Sequence, residues 1–153
     1  MSTFYGTDGP NRIVGTPEDD IIYGHGGDDE LHGVGGSDLI YGASGKDLIY
    51  GSDGSDRLYG GSGDDKIHGV RGTDHIWGGD GDDTLLGGKT GENVLYGGAG
   101  DDRIYGGGQD DLRAFNFVYG GDGNDHVGGD WGTDYIYGEA GNDVVWGGRG
   151  EDF

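Results

Sequence analysis

Branched aliphatic residues return along this chain at every ninth position. Ile13, Ile22, Leu31, Ile40, Ile49, Leu58, Ile67, Ile76 and Leu85 set the register, and Leu95, Ile104, Val118, Val127, Ile136 and Val145 continue it. Each sits between two residues of mixed character. Side chains alternate between the faces of a strand, so the aliphatic points inward and its neighbours outward. The six residues between these short strands are rich in Gly and Asp. The cleanest unit is Gly78-Gly79-Asp80-Gly81-Asp82-Asp83-Thr84-Leu85-Leu86, with Gly at positions one, two and four, Asp at six and an apolar residue at eight. Glycine permits the positive φ angles of a tight turn. The Asp brings acceptor oxygens beside turn carbonyls, a combination that suits a hard cation.

One aliphatic per nine residues makes a narrow core. Two units make one coil, with strands alternating between two parallel sheets. Each strand then stacks on the one eighteen residues away, at about 4.8 Å, and the molecule is quasi-one-dimensional. Units start at Gly6, Gly15, Gly24, Gly33, Gly42, Gly51, Gly60, Gly69, Gly78 and Gly87, then at Gly97, Gly106, Gly120, Gly129, Gly138 and Gly147. One extra residue falls near Lys89-Thr90, and the unit from Gly106 is five residues too long. Residues 1–153 therefore read as a single domain with an irregular insertion near 107–118, and no stretch is left for a separate catalytic domain.

This unit, G-G-x-G-x-D-x-U-x with U apolar, resembles the RTX (repeats-in-toxin) calcium-binding nonapeptide repeat. The resemblance implies an all-β fold, a right-handed parallel β-roll or β-solenoid of about fifteen units in two parallel sheets. It also implies Ca²⁺ between successive turns, held by Asp carboxylates of both turns and by backbone carbonyls. The metal ligands are then Asp20, Asp29, Asp38, Asp47, Asp56, Asp65, Asp74, Asp83, Asp102, Asp125, Asp134 and Asp143. Along the coil the sixth residues divide between two edges. Asn11, Asp29, Asp47, Asp65, Asp83, Asp102, Asp125 and Asp143 fall on one. Asp20, Asp38, Asp56, Asp74, Asn93, then Asp111 or Asn116, Asp134 and Asp152 fall on the other. Asn11 and Asn93 are neutral, so weaker sites are expected there. Glu18 and Gln109 replace the fourth-position Gly of their turns, and the insertion is expected to interrupt one column. The alternative is that these Asp side chains only bond local turn N–H groups. RTX proteins are typically bacterial and exported by type I secretion, which implies an extracellular location at calcium levels of order millimolar.

Composition sharpens this picture. Gly accounts for 41 of 153 residues and hydrophobic residues for only 31%, so an ordinary globular core is excluded. The formal net charge of −21 argues against a nucleic-acid partner and makes the metal-free chain repel itself. Roughly ten bound Ca²⁺ ions, about +20 in charge, would nearly cancel it. The chain is accordingly expected to be disordered without calcium and folded with it. Cysteine is absent, so disulfides play no part. No signal peptide or membrane span is read at the N-terminus or elsewhere.

The ninth position adds an aromatic stripe. Tyr5, Tyr23, Tyr41, Tyr59, Trp77, Tyr96, Tyr119 and Tyr137 fall on one sheet, beside Ile21, Leu39, Arg57, His75, Val94, Phe117 and Tyr135 at position seven. The other sheet carries a mixed set: Val14, His32, Tyr50, His68, Leu86, Tyr105, Gly128 and Trp146. Stacked rings stabilise a sheet. A contiguous apolar face also fits partner binding, through Tyr23, Tyr41, Tyr59, Trp77, Tyr96, Tyr119 and Tyr137, by lateral self-association or to a polysaccharide. At the ends, Thr3-Phe4-Tyr5 reads as a strand lacking its turn, and Gly147 to Phe153 as a turn lacking its strand. Two readings follow: the stretch is cut from a longer repeat protein or its ends simply fray, or molecules stack head-to-tail into a filament. An enzyme is not expected: no Ser-His-Asp or paired-carboxylate arrangement stands apart from the repeat, and His25, His32, His68, His75 and His126 read as surface residues.

Overall fold

The computed structural model describes residues 1–108 and 114–153. Among them are sixteen strands, from Ser2–Tyr5 to Val144–Arg149, and no helix. Strands alternate between two eight-stranded sheets, and every pairing is parallel. Each aliphatic lies beside its counterpart one coil on, as Ile22 beside Ile40 and Ile40 beside Leu58. Where the chain carries extra residues the register survives. Leu85 pairs with Ile104 and Ile104 with Val127, so the surplus is absorbed in the turns. The fold is a parallel β-roll.

The core is the single file of aliphatics between the sheets. Ile22, Leu31, Ile40, Ile49, Leu58, Ile76, Leu85, Leu95, Ile104, Val118 and Val127 are wholly buried. The file opens at its ends: Phe4, Ile13 and Ile136 are only partly covered. Val145, whose phase predicts an inward residue, is 47% exposed. Its strand is the last of its sheet and pairs only with the coil before it.

Glycine has two different roles in the turn. The second residue takes a left-handed conformation in most turns, whether it is Gly61 (φ 121) or a non-glycine such as Val34 (φ 88) or Val70 (φ 85). A β-branched residue at such a φ is strained. The first glycine has no positive φ; it is there for space. A Cβ on Gly24 would lie within 3.0 Å of both Asp29 Oδ2 and the Gly42 carbonyl oxygen.

The aromatic column forms one ladder. Neighbouring rings from Tyr5 to Tyr137 stack with centroids 4.5–5.9 Å apart and planes within 12°. The other sheet has a stacked His32–Tyr50 pair, a tilted Tyr50–His68 pair, and Trp146 set obliquely against Tyr105 and His126. No helix among the described residues is long and apolar enough to cross a membrane.

Candidate metal sites in the turns

The sixth residues line the two edges of the roll as expected. Asp29, Asp47, Asp65, Asp83, Asp102, Asp125 and Asp143 follow Asn11 along one edge. Asp38, Asp56, Asp74, Asn93, Asn116, Asp134 and Asp152 follow Asp20 along the other. Asn116 takes the position that sequence spacing leaves open between it and Asp111. Asp111 lies outside the described residues, as does Gln109.

Each aspartate among these has a divided task. One oxygen, Oδ1, accepts the backbone N–H of the sixth residue one coil earlier. Asp38 accepts from Asp20 at 2.8 Å, Asp65 from Asp47 at 2.8 Å and Asp102 from Asp83 at 2.8 Å. The bond to a backbone N–H is therefore present, but it runs between coils rather than within the turn. The other oxygen, Oδ2, is buried and has no hydrogen-bond partner in Asp29, Asp38, Asp47, Asp56, Asp65, Asp74, Asp83, Asp102, Asp125 and Asp134. It lies over the first glycine of its own turn, in a cradle that a Cβ would fill. The first-glycine carbonyl of the next coil shares that cradle in Gly33, Gly42, Gly60, Gly69, Gly78, Gly97 and Gly120.

Oxygen thus faces oxygen, with no donor between. A buried carboxylate left so carries a large desolvation penalty. Its protonation reflects this. Burial first, with neighbouring carboxylates adding to it, pushes Asp38, Asp65, Asp83 and Asp102 up to about 7 and Asp74 up to about 8. Burial likewise raises Asp47, Asp56 and Asp134 to about 6, and raises Asp29 and Asp125. A cation of hard, oxygen-loving character answers this arrangement. Among the described residues no three His, Asp or Glu side chains converge on one point, so its ligands would come largely from carbonyl oxygens. Carboxylate and carbonyl donors together favour Ca²⁺ over a nitrogen- or sulfur-seeking metal.

Asp20 departs from this rule. Its Oδ2 accepts both the N–H and the Oγ1–H of Thr16, each at 2.7 Å. Burial alone would raise its pKa, but these bonds and the N–H of Ser2 hold it below the ordinary carboxylate value. Asn11 receives the Thr7 N–H in the same way. In both turns a threonine occupies the second position, without the positive φ found there later. The residues that close the first coil are therefore Thr7 and Thr16. The only trace in sequence is the pair Thr7-x-x-x-Asn11 and Thr16-x-x-x-Asp20.

The residues proposed for partner binding, Tyr23, Tyr41, Tyr59, Trp77, Tyr96, Tyr119 and Tyr137, all lie in the ring ladder. Their flat faces are turned to one another.

The sequence family described as RTX calcium-binding nonapeptide repeat (4 copies) matches residues 5–40, 32–67, 41–75, 59–89, 88–112, 113–136 and 119–153. No curated protein matches the chain.

Proposed function

The chain belongs to the RTX calcium-binding nonapeptide repeat family, and we propose that it is a structural roll that folds on Ca²⁺ outside the cell. The observation that carries this is the set of ten buried, unpartnered carboxylate oxygens, in Asp29, Asp38, Asp47, Asp56, Asp65, Asp74, Asp83, Asp102, Asp125 and Asp134. Bound Ca²⁺ supplies positive charge and six to eight positions for oxygen ligands. In eight of these turns the Asp Oδ2 and the glycine carbonyl of the next coil are both at hand as oxygen ligands, and the first glycine keeps the space between them open. A net charge of −21 opposes closure of the metal-free chain, so ion binding and folding become one event. Extracellular calcium, far above cytosolic levels, makes that event conditional on export. The type I route is the one the family resemblance favours.

The role is structural rather than catalytic, as is usual for the repeat. The aromatic ladder is assigned to sheet stability, because ring faces that stack on each other are not offered to a sugar. A calcium titration followed by far-ultraviolet circular dichroism tests the proposal. The β signal is expected to appear cooperatively with calcium and to vanish with chelator; an unchanged spectrum overturns it.

A further inference from the structure

Two consecutive turns of one edge carry an amide where the turns around them carry a carboxylate. Asn93 and Asn116 are both fully buried. Oδ1 of each keeps the inter-coil task. Asn93 Oδ1 accepts the Asp74 N–H at 2.9 Å, and Asn116 Oδ1 accepts the Asn93 N–H at 3.1 Å. That bond fixes the orientation of the amide and leaves Nδ2 facing the cradle. Asn93 Nδ2 donates to the Gly106 carbonyl at 3.2 Å. Asn116 Nδ2 donates to Asp134 Oδ1 at 2.8 Å and reaches the Gly129 carbonyl at 3.5 Å. A Cβ on Gly87 would meet Asn93 Nδ2 and the Gly106 carbonyl within 3.0 Å. It is the same cradle, with a donor in place of the orphaned oxygen. Neither amide appears among the unpartnered buried groups of the described residues.

These are also the two turns of irregular length. Along this edge the sixth residues are eighteen apart from Asp20 to Asp74 and from Asn116 to Asp152, but Asp74 and Asn93 are 19 apart, and Asn93 and Asn116 are 23 apart. The extra residues fall between the first glycine and the Asn in both units, Gly87 to Asn93 and Gly106 to Asn116. An ion needs several oxygens held in place together, whereas an amide needs one carbonyl. Surplus residues disturb the first arrangement far more than the second.

We infer that Asn93 and Asn116 are built-in substitutes for two cations. They close their turns without metal and divide this edge into two calcium runs, one from Asp38 to Asp74 and one at Asp134. The opposite edge runs unbroken from Asp29 to Asp125. This inference rests on the calcium reading of the Asp turns. It differs in sign from the view of Asn93 as a weaker calcium ligand. A weak ligand improves when Asn93 becomes Asp; a substitute donor is lost, leaving oxygen against the Gly106 carbonyl.

The test is the thermal midpoint of the full chain at neutral pH in saturating calcium, with bound calcium counted by equilibrium dialysis. Asn93→Asp and Asn116→Asp are each expected to lower the midpoint by about 3–10 °C. A raised or unchanged midpoint overturns the inference. Asn93→Ala is expected to bind as many ions as the unaltered chain even where it is less stable, and loss of an ion also overturns the inference. Asp56→Asn is the reciprocal change, expected to form the roll with about one ion fewer. If Asp56→Asn and the unaltered chain bind no calcium, the calcium reading itself fails. If they bind as expected but Asn93→Asp gains stability, only the amide inference fails.

Discussion

The two edges of the roll are built from the same nonapeptide and close their turns differently. On the edge of Asp29 to Asp125, six successive turns each hold a buried oxygen with no partner. On the edge of Asp20 to Asp152, Thr16 closes the first turn and two asparagine amides close the middle ones. On the calcium reading, three devices answer one cradle: an ion between oxygens, a hydroxyl with its own N–H, and an amide N–H. Only the first makes the fold depend on solution conditions. On that reading calcium dependence is distributed unequally, and the edge with the most regular turn lengths is the one most exposed to loss of the ion.

The largest effect expected from this contrast is with pH in the absence of calcium. Burial raises Asp47, Asp65, Asp83 and Asp102 on one edge and Asp38, Asp56, Asp74 and Asp134 on the other from an ordinary 3.8 to between about 6 and about 8. A raised carboxylate pKa means that the folded form holds the extra protons. Its contribution to stability is full below about 4 and is lost as pH rises through 6 to 8. Acidifying the chelated protein from pH 8 towards pH 5 is therefore expected to restore β signal in circular dichroism. A spectrum that stays disordered throughout would break the link between orphaned oxygens and folding.

Cutting the unbroken edge should come next in size. Asp83→Asn interrupts six linked turns, whereas Asp134→Asn removes a turn already set apart by Asn116. Both are expected to lose about one ion, but only Asp83→Asn should flatten the calcium-binding curve, since coupling in a linear repeat passes between neighbours. Isothermal titration of the two variants compares the slopes. Equal slopes would mean that the asparagines do not separate the runs.

The smallest effect belongs to the first coil. Thr16→Val removes the hydroxyl and keeps the N–H bond to Asp20. A loss of about 1 kcal/mol in chemical denaturation is expected, with bound calcium unchanged. A variant that loses an ion would place Asp20 with the other carboxylates after all.

Most of the fold could be read from sequence because its period is strict. The aliphatic at position eight foretells both the core and the pairing of Ile22 with Ile40, since neighbouring coils repeat one another. The columns of sixth residues follow from the same count. What escaped the pattern lies in contacts between coils or in turns of unusual length. The first glycine looks like a turn residue but is there to clear Asp Oδ2 and a carbonyl of the following coil. The choice of Asn116 needed the path of the chain around an overlong turn. Thr7 and Thr16 read as ordinary departures from glycine until their bonds to Asn11 and Asp20 are seen. Val145 has the right phase and lacks a neighbour.

The bonds from sixth-residue N–H groups to Oδ1 all point one way. Asp20 gives its N–H to Asp38, Asp38 to Asp56, and Asp56 to Asp74. Each sixth-residue N–H is therefore satisfied by the coil that follows it, whereas fifth-residue N–H groups turn to the coil before, as Ser37 to Asp19 Oδ1 and Asp101 to Asp82 Oδ1. A roll ended at any coil boundary leaves its last sixth-residue N–H without this acceptor and its first sixth-residue Oδ1 without this donor. The two ends of a stack of coils are therefore chemically unlike: at this position one end face asks for an acceptor and the other for a donor.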